Sequence, residues 1–155
     1  MLAKLRELFQ TVDQTANDDE RVSIPLAAAA LLLEVAWADH EIDASEIETM
    51  TTALSTMYGL DRAQTEEVVD KARADHESST GMQSFTRFLT EQLTRQERVT
   101  LLEHLWRLAS FGGDRYHYEE HVIRRITDLL YLNHSDFIAA KRVVQNSGNR
   151  HRSAD

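Results

Sequence analysis

The chain has 155 residues, 42% of them hydrophobic, no cysteine and a formal net charge of −9. That length allows one domain with a real core, and the acidic balance speaks against nucleic acid and against an anionic membrane surface, both of which select clustered positive charge. Without cysteine there is no disulfide, no thiol nucleophile and no thiolate metal site, and a reducing cytoplasm is the compatible compartment.

One proline and five glycines, with no sustained period-two alternation, predict an all-α fold, a bundle of seven or eight helices. Leu2, Leu5, Leu8, Phe9 and Val12 share one face of a first amphipathic segment. That segment lacks a continuous apolar run, so it does not read as a signal peptide. Ser23-Ile-Pro25 is a helix start, with Ser as cap and Pro in the first turn. The apolar run Leu26–Leu33 follows, too short for the roughly 20 residues that span a bilayer. No direct membrane insertion is expected, and a buried central helix is.

Asp43 opens the next helix, with Ile47, Met50, Leu54 and Met57 inward, and Gly59 ends it. Asp61 with Gln64 starts another, carrying Val68, Val69 and Ala72. Glu77–Gly81 reads as a loop. Phe85, Phe88, Leu89 and Leu93 mark a further helix. Thr94 with Glu97 makes a capping box for a helix through Leu101, Leu105, Trp106 and Leu108, which Gly112-Gly113 stops. The stretch 118–132 forms another, and Ser135 is expected to cap a last helix to about Gln145. The domain is read as 1–146, with 147–155 as a disordered tail.

An internal repeat emerges at an offset of 73 residues. Leu32 meets Leu105, Val35 meets Leu108, Ala36 meets Ala109, Glu46 meets Glu119, and Tyr58 meets Tyr131. Such halves can bury one core around a pseudo-twofold axis. The acidic loop is not duplicated: Asp39 falls on Gly112 and Asp43 on Tyr116.

That loop, WADHEIDASEIE from Trp37 to Glu48, holds five carboxylates. Asp43 and Glu46 have capping-box spacing and suit the positive end of a helix dipole. Asp39 follows the preceding helix, where the dipole opposes an anion by about 0.3–1 kcal/mol. Asp39, Glu41 and Asp43 alternate as the oxygen ligands of a hard cation do, but Ala44 and Met50 stand where an EF-hand needs Gly and a bidentate Glu. An EF-hand is therefore rejected, while a weaker cation site stays open.

The segment LLLEVAWADHEIDASEIETM resembles the signature of the bacterial tellurite-resistance TerB family, with Ala36, Ala38, Asp39, Ile42, Asp43 and Glu46 in register and His40 in place of the usual Gly. The stretch from Leu108 to Val144 resembles the family's second repeat. The resemblance implies an all-helical, internally symmetric bundle and a chemical-stress role without enzymatic activity. A related domain occurs at the N-terminus of a membrane-anchored DnaJ-like co-chaperone. It also implies a divalent-cation site, carried here by Asp39, Asp43, Glu46 and Glu119, with calcium, magnesium or zinc as the ion. Gly112 and Tyr116 replace aspartates expected in the second repeat.

His117-Tyr-Glu-Glu120-His121 matches a short zinc pattern whose histidines sit at i and i+4. A small metal-dependent enzyme or a metal buffer using the acidic loop with His117 and His121 is thus the alternative reading. Arg124 or Arg125 could neutralise the acidic loop. Trp37 and Trp106 read as packing residues, and His104 as a polar group facing its neighbours. The leading expectation is a non-enzymatic cytoplasmic adaptor or stress-response module with a protein partner, a second copy of the chain in a homodimer being one candidate.

Overall fold

Side-chain caps, an alanine-rich apolar run and two left-handed turns account for most of the architecture. The computed structural model describes residues 23–36, 43–77, 82–109 and 116–153. Within them lie seven α-helices: α1 (Ile24–Ala36), α2 (Ala44–Tyr58), α3 (Arg62–Glu77), α4 (Gln83–Gln92), α5 (Arg95–Leu108), α6 (Tyr116–Leu129) and α7 (His134–Ser153). No strand occurs among the described residues. The fold is the all-helical bundle expected. The first amphipathic segment, Trp37 and Gly112-Gly113 lie outside the described residues, as does most of the predicted Glu77–Gly81 loop.

Helix α1 is buried along almost its whole length; Leu26 to Leu33, Val35 and Ala36 are all covered. Four successive alanines let neighbouring backbones come close, while Leu31, Leu32 and Leu33 fill the space around them. Each buried leucine contributes about 1.5–3 kcal/mol. Helices α2, α3, α4, α5 and α6 all pack on α1. A helix apolar on every side has no solvent face to offer, so it takes the centre.

Its start follows the sequence signal: Ser23 Oγ accepts from the Leu26 amide at 3.1 Å. Helix α5 begins with the expected capping box, in which Glu97 N donates to Thr94 Oγ1 at 3.1 Å and Thr94 N to Glu97 Oε1 at 2.8 Å. Helix α7 packs mainly along α5. There the buried Trp106 ring meets Phe137 edge-on at 4.9 Å and donates from Nε1 to the Phe137 carbonyl at 3.2 Å. Trp106 is the packing residue expected.

Two differences from the sequence reading concern α7. Asn133 rather than Ser135 caps it: Asp136 N donates to Asn133 Oδ1 at 2.9 Å, and Asn133 N to Asp136 Oδ2 at 3.0 Å. Asn and Asp satisfy the orphan amides at that spacing as well as a serine would. The helix also passes Gln145 and runs to Ser153. Gly148 alone costs only about 1 kcal/mol in a helix and no proline follows, so nothing in the sequence forces a stop there.

The turns after α2 and α6 share a geometry. Gly59 has φ 68° and Tyr131 φ 55°, both left-handed. The next residues, Leu60 and Leu132, are buried. Reciprocal caps follow, Asp61 with Gln64 and Asn133 with Asp136. Tyr131 therefore matches Gly59 here, one residue away from the Tyr58 partner that the offset of 73 assigns. The likeness is one of helix boundaries and turn geometry.

Candidate functional site

The acidic stretch enters the described residues at Asp43; Asp39, His40 and Glu41 lie outside them. Asp43 has the extended backbone of a cap (φ −94°, ψ 171°). Its Oδ1 accepts from the Glu46 amide at 2.7 Å, and Glu46 Oε1 accepts from the Asp43 amide at 3.2 Å. The capping box read from the spacing is present. It engages Asp43 Oδ1 and Glu46 Oε1, and both residues have further contacts within the fold.

Glu119 stands in the first turn of α6 and is 3% exposed, engaged within the fold. Among the described residues no three His, Asp or Glu side chains converge to hold a metal ion. Asp43, Glu46 and Glu119 thus make no three-ligand centre by themselves. A centre on the loop would have to draw on Asp39 or Glu41.

The start of α6 has a different character. Glu120 takes an ion pair from Arg124 at 3.3 Å and from Lys141 at 3.8 Å. Lys141 Nζ also lies 5.4 Å from the Trp106 ring centre and 5.2 Å from that of Tyr116. Arg124 sits 4.6 Å above the Phe137 ring. The neighbouring Tyr116 hydroxyl first, and then Lys141 and Arg124, hold the Glu120 carboxyl below its ordinary range. Burial pushes the Tyr116 phenol up, and Glu120 pushes it further.

This arrangement bears on two sequence readings. His117 and His121 are exposed on the same helix, but the glutamate between them that a zinc enzyme would use, Glu120, is already paired twice. Arg124, a candidate to neutralise the acidic loop, is instead turned to Glu120 and Phe137. Lys141 was missed entirely. Its partners lie 21, 25 and 35 positions away in sequence, so no local pattern points to it.

His104 faces its neighbours, as expected of a polar group. It is buried, with Nδ1 3.3 Å from Arg107 Nη1. Burial first, then the Arg107 charge, lowers its pKa to about 4. It lines a groove between α2 and α5 of about 650 Å³.

No helix among the described residues is long and apolar enough to cross a membrane. No curated protein and no solved structure matches the chain. Residues 25–142 match the family model described as Tellurite resistance protein TerB. The match runs from the first turn of α1, across the acidic helix start and both left-handed turns, into α7, and the chain belongs to the TerB family.

Proposed function

We propose that this chain is a non-enzymatic stress-response module that works by binding, with a divalent cation at the 39–46 loop adjusting how it docks a protein partner in the cytoplasm. Family membership supports the class of module. The observation that carries the cation reading is the Asp43–Glu46 capping box. It fixes two carboxylates side by side at the mouth of the acidic stretch.

The donor set is made of carboxylate oxygens, which suits calcium or magnesium better than zinc. Asp43 and Glu46 would hold the ion with Asp39, and Glu119 is the family-derived candidate from the other half. The ion would supply charge neutralisation to a loop of clustered anions, and with it a preferred loop shape for a partner. The two ion pairs on Glu120 favour this reading over a His117/His121 metal enzyme.

Calorimetric titration with calcium, magnesium, manganese and zinc tests the proposal. Asp43→Asn is the informative variant, because Asn caps a helix as well as Asp does while removing one charge. Wild type should bind one hard cation at roughly micromolar to millimolar affinity, and Asp43→Asn should weaken it while melting unchanged without metal. Absence of binding heat for all four ions would contradict it.

A further inference from the structure

His117 and His121 take no part in the loop site, and the fold presents them together. Both are exposed. They stand at i and i+4 on α6, so their Cβ atoms lie roughly 5–6 Å apart on one face. The His117 ring lies 6.2 Å from that of Tyr116, which narrows the positions it can take. Neither imidazole has a hydrogen-bond partner among the described residues, so each keeps a ring nitrogen for a metal.

Two imidazoles are half of a zinc site. Zinc in a structural site takes four ligands in a tetrahedron, and neutral imidazole is among its preferred donors. The chain itself does not complete the set. Glu120, between the two histidines, is held by Arg124 and Lys141. Glu119 is buried, on the inner side of the helix. Among the described residues no third His, Asp or Glu converges on the pair.

A second copy supplies the missing ligands with no new residue type. A closed twofold contact places the same patch on both partners, so His117 and His121 of each would make a four-nitrogen tetrahedron on the axis. The surroundings suit that contact. Tyr118, three residues before His121 on the same side, is 65% exposed; a second copy would cover its ring. The chain as a whole carries −9 and repels its own kind. This face does not share that charge, because two cations neutralise Glu120 and Arg125 is exposed beside His121. Arg125 opposes the ion, but its long side chain lets the charge swing out to water.

We infer that α6 carries a zinc half-site, His117 and His121, and that one zinc ion joins two copies of the chain through it. The ion is structural: with all four positions filled by histidine, no water remains on the metal to be activated. The site uses nitrogen donors on the outer face of α6 and none of the carboxylates proposed for the 39–46 loop, so either reading can fail alone.

The test is the mass of the untagged full chain in solution, by sedimentation, in EDTA, in calcium and with zinc added up to one equivalent. Zinc should double the mass seen in EDTA, with the end point at one zinc per two chains, and calcium should not. His117→Ala and His121→Ala replace exposed groups with a good helix former. Each should abolish the doubling while melting without metal as wild type does, and Asp43→Asn should leave the doubling intact. Zinc that binds without changing the mass would be an adventitious ion only and would overturn the assignment. So would doubling that survives in both histidine variants, or doubling that Asp43→Asn abolishes, which would place the ion on the loop.

Discussion

Helices α2 and α6, which the offset of 73 lays over each other, begin in opposite electrostatic circumstances. At α2, Asp43 is exposed and Glu46 partly so, and both bond the backbone of their own first turn. At α6, Tyr116 takes the place of Asp43 and Glu119 that of Glu46, with Glu119 buried. Beside them Glu120 holds Arg124 and Lys141, and Lys141 lies against Trp106 and Tyr116. The second start carries its own cations. At the same offset Arg124 falls on Thr51 and Lys141 on Val68. One start is held by a reciprocal capping box, the other by a buried glutamate beside an ion-paired one.

The most severe way to break the comparison is to remove what holds the second start together. Trp106→Ala deletes a fully buried ring, its bond to the Phe137 carbonyl and a face on which Lys141 rests. Denaturant unfolding should show a loss of about 3–5 kcal/mol. A loss below about 1 kcal/mol would mean that the α5–α7 contact does not anchor that end.

The next effect is a pH dependence confined to the second half. His104 stands where the offset places Leu31 in the first. Its folded pKa of about 4 lies below the ordinary 6.5, so the unfolded chain takes the proton first. Stability from this group is complete above about pH 6.5 and is lost as pH falls toward 4, by on the order of 2–3 kcal/mol. The difference between wild type and His104→Leu, measured by chemical denaturation from pH 7 to 4, isolates it. Parallel curves for the two proteins would show that the ring is not held neutral.

A smaller effect sharpens the view of the first half. Asp43→Ala should cost about 1 kcal/mol in metal-free buffer through loss of the cap. Equal melting of the two proteins would show that Asp43 is not needed to start α2.

Much of this was legible because it is local. Capping boxes at Asp43 and Thr94, the Ser23 start and the stop at Gly59 are fixed by residues three or four apart, and sequence spacing reports them directly. The central position of α1 was legible because a helix apolar all round has one place to go. The Asn133 cap was missed because Ser135 offered a competing signal two residues on, and the end of α7 because a lone glycine is a weak stop. The Lys141 cluster and the α2–α5 groove depend on how distant helices meet, which no periodicity encodes. At the acidic loop, the sequence separated the two carboxylates with a local structural role from Asp39, which lies outside the described residues and keeps the cation question open.

Asp39 is therefore where the central claim is best tested. Melting temperature should be followed for wild type and Asp39→Asn in metal-free buffer and across calcium, magnesium, manganese and zinc titrations. An ion that binds only the native state stabilises by mass action, so wild type should melt progressively higher with at least one hard cation. Asp39→Asn should melt at or above wild type without metal, because clustered anions repel one another in the empty loop, and should show no rise with metal. Wild-type melting that stays flat across all four ions would contradict the account.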